Sequence, residues 1–170
     1  DSLGEELPVH PVKGEMLLLQ SDRPLLSGVV MAGSHYLIPR ADNRILVGST
    51  VKDRGFDARP SLGGMRSLTQ AAVEMVPDTA VLKVEDYWAG LRPGSPDGRP
   101  FIGPLPGWRG LYVNAGHFRN GLVQAPASAE LLAARVAGET PVLDPEPFAP
   151  DREVVPSELQ GYPAPGTHPD

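Results

Sequence analysis

Hydrophobic positions do not keep one spacing along this chain, and each change of spacing marks a change of element. Residues 13–20 hold the unbroken apolar run Met16-Leu17-Leu18-Leu19, which has the length and composition of a buried strand. Residues 27–31 give a second strand, followed by a turn at Ala32-Gly33-Ser34. Tyr36-Leu37-Ile38 and Arg44-Ile45-Leu46-Val47-Gly48 flank the polar, turn-forming Arg40-Ala41-Asp42-Asn43, and that pattern predicts a hairpin. Up to this point the pattern is that of an antiparallel sheet.

Between residues 61 and 76 the period becomes helical. Leu62, Met65, Leu68, Ala72 and Val76 recur three and four apart, with Val73 and Met75 beside them. Ser61 is the predicted N-cap, and Pro77 ends the helix. Residues 81–91 read as a long strand, and 92–107 as a Pro/Gly-rich connection holding Phe101-Ile102. Residues 110–115 read as a strand, and 121–136 as a helix with Leu122, Ala125, Ala129, Leu132, Ala133 and Val136 on one side and Gly138 as its stop. From Pro141 the chain is rich in Pro, Asp and Glu, and beyond about residue 156 a disordered tail is expected. No internal repeat is visible. The predicted class is α+β: a mixed, largely antiparallel sheet with a packed helix over 1–110, a strand–loop–helix over 111–140, and a Pro-rich tail over 141–170.

Composition narrows the function classes. At 41% hydrophobic and 21% charged residues, the chain can build a core. A net charge of -6 supplies no footprint for a polyanion, which argues against nucleic acid as a partner. No cysteine is present, so disulfides, thiolate catalysis and cysteine metal sites are excluded together; this fits a cytoplasmic protein. No apolar run is long enough for a membrane span. The acidic start, Asp1-Ser2-Leu3-Gly4-Glu5-Glu6, lacks the pattern of a signal peptide. It also lacks a methionine and lies just ahead of a strand, so we expect the sequence to be cut from something longer.

Two stretches carry candidate chemistry. In the first, the strand Leu111-Tyr112-Val113-Asn114-Ala115 enters the loop Gly116-His117-Phe118-Arg119-Asn120-Gly121, which opens a helix. A helix N-terminus presents free N–H groups and a positive dipole end, suited to an anion. The same stretch also suits a plain strand-to-helix turn. In the second, Tyr87-Trp88-Ala89-Gly90-Leu91-Arg92-Pro93-Gly94 puts an arginine at a strand end, where a guanidinium can grip a carboxylate through two hydrogen bonds or simply meet solvent. Tyr36 begins a strand and reads equally as half-buried packing. His10, His35, His117 and His168 are scattered, which disfavours a metal site. Ser49, Ser95 and Ser128 lie in no nucleophile elbow, and Asp86 and Asp97 are carboxylates without a visible partner.

Several segments, in this order, resemble the carboxyl-terminal half of the D-amino-acid oxidase superfamily, with the bacterial glycine oxidases of thiamine biosynthesis the nearest group. They are Val12-Lys13-Gly14-Glu15-Met16, Tyr36-Leu37-Ile38-Pro39-Arg40, Val47-Gly48-Ser49-Thr50, the segment from Trp88 to Pro100, and Ala115-Gly116-His117-Phe118-Arg119-Asn120-Gly121. The last two are long enough to be specific. The resemblance implies that Arg92 holds the substrate carboxylate and that Tyr36 and Arg119 contact substrate. It also implies that His117, Phe118, Arg119, Asn120, Gly121, Leu122 and Val123 run along the flavin of FAD. The activity implied is oxidation of an amino acid or amine bearing a carboxylate, with O₂ as acceptor, to an oxo acid, ammonia and hydrogen peroxide, in an oligomeric enzyme. Such chemistry needs orientation and a fixed field more than a strong base.

One departure is that no G-x-G-x-x-G unit occurs in the chain. The expected seat of the FAD diphosphate, in a Rossmann-like half, is therefore absent from it, and the isolated chain is expected to be inactive. Another is Glu15, at a position where relatives often carry glutamine. Other readings stay open: a D-amino-acid or sarcosine-type oxidase or dehydrogenase of the same superfamily, or a non-catalytic interaction module without FAD.

Overall fold

The computed structural model describes residues 7–156, so the expected tail beyond 156 lies outside the described residues. The described chain forms two compact units, one of residues 13–91 and one of residues 92–156 with 7–12.

In the first unit, β1 (His10–Gln20, whose first three residues belong to the second unit), β2 (Val30–Ala32), β3 (His35–Pro39), β4 (Arg44–Gly48) and β5 (Lys83–Gly94, whose last residues belong to the second unit) form a five-stranded sheet. The order is β2-β3-β4-β1-β5. β2–β3, β3–β4 and β1–β4 pair antiparallel, and the register sets Tyr36 opposite Gly48 and Gly48 opposite Met16. The hairpin and its polar turn form as predicted; Asn43 takes the left-handed conformation there, with φ 62°, which asparagine tolerates well.

Strand alternation gives this sheet two different faces. Leu17, Leu19, Leu37, Ile45 and Val47 are buried on one face against Leu68 and Ala72 of α1 (Leu62–Met75). Met16, Leu18, Tyr36, Ile38 and Leu46 lie on the other and are half-buried. The helix starts as predicted: the Ser61 hydroxyl accepts the Gly64 N–H at 3.1 Å, satisfying one of the orphan donors of the first turn. It ends at Val76, where the following Pro77 disfavours helical backbone; a 3₁₀ turn, Pro77–Val81, then leads into β5.

In the second unit, β6 (Phe101–Pro104) and β7 (Tyr112–Ala115) form an antiparallel pair that α2 (Gly121–Ala137) packs against. Phe101-Ile102, expected inside a connection, is thus a strand: its alternation is too short to stand out among prolines and glycines. α2 ends in Gly138, whose φ of 72° closes the helix in a conformation that costs other residues energy. The face it buries differs from the expected one. Ser128 and Leu131 are buried, whereas Leu122, Ala125, Ala129 and Val136 are exposed. A short two-stranded pair covers only a narrow stripe of a helix, and the remaining apolar residues stay uncovered.

No helix among the described residues is long and apolar enough to cross a membrane, and no group of His, Asp or Glu among them could hold a metal ion.

Candidate functional site

In the first unit the candidate surface is the half-buried face of the sheet. Tyr36, Gly48 and Met16 stand in one row across three strands. Gly48 has no side chain, so the Tyr36 ring lies over it and donates its hydroxyl to the Met16 sulfur at 3.6 Å. A Cβ at position 48 would fall 2.6 Å from ring carbons and 2.7 Å from the hydroxyl oxygen, closer than any real contact. The tyrosine is therefore held flat along the sheet by its neighbours.

Beneath it, on the helix side, lies a buried charge cluster that the sequence reading did not single out. Glu15 is fully buried, and its Oε1 accepts the Ser61 N–H at 2.6 Å and the Tyr87 hydroxyl at 3.2 Å. Its Oε2 accepts the Thr50 hydroxyl at 3.1 Å, and Lys52 and Lys13 lie 3.4 and 3.8 Å from the carboxylate. The Lys13 ammonium also donates to the Arg59 carbonyl. Burial alone would push the Glu15 carboxyl up, but the Ser61 and Thr50 hydrogen bonds and the Lys52 charge outweigh it and hold it below its usual range. The same burial, with the Glu15 charge beside it, pushes the Tyr87 phenol up. A signal was available: positions 13, 15, 17 and 19 share one side of β1, so two charges enter the buried face and must be paired there.

In the second unit, Arg92 is half-buried at the end of β5. The next residue ties it to the other motif: the Phe118 N–H donates to the Pro93 carbonyl at 2.8 Å. The Arg92 strand end and the loop 116–121, separate in sequence, are therefore neighbours. That loop turns on two left-handed residues, Gly116 (φ 85°) and Phe118 (φ 51°). The second is a strained choice for an aromatic side chain. The Arg119 guanidinium lies 5.6 Å from the centre of the Phe118 ring, and Arg119 is exposed. His117 shares a hydrogen bond between Nε2 and the Ser128 hydroxyl at 2.9 Å; burial pushes its pKa down, so the ring is neutral at pH 7. Asn120 and Gly121 open α2, and no side chain caps the helix. Leu122 and Val123, in its first turn, are 91% and 85% exposed.

An uncapped helix start beside uncovered apolar side chains fits a flat apolar group with an anionic edge, as the isoalloxazine end of FAD would present. His117 to Val123 are the residues that could hold it; the described residues offer no glycine-rich seat for the diphosphate. The partner of Asp97 was also missed. Its carboxylate receives two hydrogen bonds from Arg152, each of 2.9 Å, across 55 positions of sequence, a separation that no local spacing reveals.

A protein-family comparison gives an independent reading of the same residues. The FAD dependent oxidoreductase family matches residues 1–135. The chain belongs to that family. It is 49% identical over 150 residues to a glycine oxidase of Pseudomonas putida, covering 88% of this chain and 41% of that protein. It is 40% identical over 163 residues to a hydrogen cyanide synthase subunit of Pseudomonas protegens, covering 95% and 39%. The crystal structure of glycine oxidase from Geobacillus kaustophilus superposes with a TM-score of 0.85 at 38% identity, over 90% of this chain and 42% of that one. The chain spans about two fifths of the length of the curated relatives it matches. The α+β arrangement of this FAD dependent oxidoreductase chain, with its antiparallel sheet and two helices, is that of its structural relatives.

Proposed function

We propose that this chain is the carboxyl-terminal, substrate-side part of a flavin-dependent amine oxidase. The whole protein takes glycine or another small amino acid, with O₂, to the oxo acid, ammonia and hydrogen peroxide, in the cytoplasm and in the service of thiamine biosynthesis. Membership of the FAD dependent oxidoreductase family supports this. The observation that carries the residue assignments is the bond between Phe118 and Pro93, which fastens the Arg92 strand end to the loop leading into α2.

In this reading Arg92 receives the substrate carboxylate in a two-pronged, charge-assisted grip. That grip fixes which face of the α-carbon is presented. Tyr36, held flat by Gly48 and Met16, contacts the substrate, as the family resemblance implies. FAD, when bound, supplies the two-electron acceptor. Arg119 and the start of α2 favour negative charge at their end of the site. His117, neutral and bonded to Ser128, keeps the loop in shape.

The test uses the full-length protein. Arg92→Ala should raise KM for glycine by roughly 30- to 1,000-fold, matching about 2–4 kcal/mol for a lost charge-assisted pair, with flavin content unchanged. Arg92→Lys should recover only part of the loss, because an ammonium cannot form the fork. An unchanged KM in Arg92→Ala would remove the clamp. A full-length protein that is colourless and oxidises neither glycine, sarcosine nor D-alanine would favour an interaction module.

A further inference from the structure

The geometry points to Arg152 as a positioning residue for Arg92: it holds, from the far side, the loop that sets where the carboxylate clamp stands. The inference rests on the reading of Arg92 given above. Arg152 lies beyond the residues 1–135 that match the family, in a segment whose composition suggested only a tail.

The contacts of Arg152 are those of a built joint. Its side chain is 7% exposed. Nε donates to Asp97 Oδ2 and Nη2 to Asp97 Oδ1, both at 2.9 Å. Nη2 also donates to the Arg99 carbonyl at 2.9 Å, and Nη1 to the Pro100 carbonyl at 3.3 Å and the Ala149 carbonyl at 3.2 Å. A guanidinium has five N–H donors, and these contacts use every nitrogen. Its Cζ lies 3.9 Å from the centre of the buried Phe101 ring, adding a cation–π contact. One side chain thus grips the loop at Asp97, Arg99, Pro100 and Phe101 in succession.

The grip passes along a short path to Arg92. Within the loop, the Gly98 N–H donates to the Ser95 carbonyl and the Arg99 N–H to Asp97 Oδ1, both at 3.1 Å. The loop then packs on the start of the 116–121 segment. A Cβ on Gly116 would lie 3.4 Å from Phe101 Cδ2, 3.5 Å from Ser95 Cβ and 3.6 Å from Pro100 Cα, ordinary contact distances, so the loop stands directly beside Gly116. From there the Phe118 N–H reaches the Pro93 carbonyl, one residue from Arg92. Releasing Arg152 frees the 95–100 loop to shift against this contact and moves the guanidinium it carries at its head. A displaced guanidinium keeps its charge but loses the alignment that a two-pronged grip on a carboxylate needs.

The experiment is a kinetic cycle in the full-length flavoprotein, with glycine as substrate. Arg152→Ala should raise KM for glycine by about ten- to a hundredfold, the loss of one charge-assisted bond of the fork, with kcat and flavin content little changed. Arg152→Lys should behave much as Arg152→Ala, since an ammonium reproduces neither the fork nor the stacking. Asp97→Asn, which keeps the shape and loses the charge, should raise KM in the same direction and by less, and it serves if Arg152→Ala does not fold. In an Arg92→Ala background, Arg152→Ala should add nothing further to KM. If Arg92→Ala raises KM but neither Arg152→Ala nor Asp97→Asn does, the positioning role is wrong and the clamp stands. If the two arginine effects multiply, Arg152 acts independently of Arg92 and the inference is overturned. If Arg92→Ala itself leaves KM unchanged, both readings fall together.

Discussion

Replacing Glu15 with glutamine removes one charge from a buried polar cluster. The substitution keeps the shape: an amide oxygen in place of Oε1 can still accept from Ser61 and Tyr87, while the amide nitrogen replaces the oxygen that accepts from Thr50. It removes the counter-charge of Lys13, whose side chain is 3% exposed, and of Lys52, at 28%. Removing one partner of a buried ion pair costs about 3–5 kcal/mol. Lys52 is nearer but partly screened by water, and Lys13 is buried, so we expect about 3 kcal/mol from the two together, the lower end of that range. Hydrogen exchange of the β1 and α1 amides reads this as a local opening free energy, without assuming that the whole protein unfolds in one step. At 1.4 kcal/mol per factor of ten, those amides should exchange about a hundredfold faster in Glu15→Gln. Adding Lys13→Met should restore part of the protection. The pH dependence has a definite sign. The folded carboxyl is held below its usual range, so its stabilisation is complete above the unfolded value, about 4.3, and disappears as pH falls through the lower folded value. Glu15→Gln should lack that component. Equal exchange in wild type and Glu15→Gln at pH 7 would mean that Lys13 is satisfied by the Arg59 carbonyl alone and that the cluster is not an ion-pair pin.

Two further outcomes follow from the second unit. Arg119→Ala in the full-length protein should lower the flavin midpoint potential by roughly 10–40 mV, taking about 0.3–2 kcal/mol for a charge of this kind and about 30 mV per 1.4 kcal/mol; a redox titration with equal potentials would confine Arg119 to other work. The isolated 170-residue chain should not retain FAD on gel filtration, because its sequence contains no G-x-G-x-x-G seat for the diphosphate; binding with low-micromolar affinity would contradict that.

Much of the fold is legible because its elements announce themselves locally. The hairpin around residues 40–43, the Ser61 cap, the Pro77 stop and the Gly138 close each depend on a residue whose conformational preference is its own. What the chain hides is long-range. The face of α2 could not be read from its apolar pattern, because the partner is a two-stranded pair too narrow to cover every apolar residue. β6 was obscured by the prolines and glycines around it. The candidate loop 116–121 and Arg92 stood out as motifs, yet their adjacency is a backbone hydrogen bond from Phe118 to Pro93, which side-chain identity does not encode. Asp97 looked solitary because its partner Arg152 comes 55 residues later. The Glu15 cluster was within reach, since strand alternation alone sends Lys13 and Glu15 to the buried side.

The row Tyr36–Gly48–Met16 has a use for anyone who wants to reshape this protein. The ring's resting place is defined by missing atoms: at position 48 there is only a hydrogen where any other residue would put a carbon 2.6 Å from the ring. Position 48 is therefore a handle on Tyr36 that leaves Tyr36 itself untouched. Alanine there would lift the ring off the strand by the thickness of one methyl group and break its contact with the Met16 sulfur, while retaining every atom of the phenol. A library at this single glycine would sample tilts of the tyrosine, where a library at Tyr36 would sample only its loss.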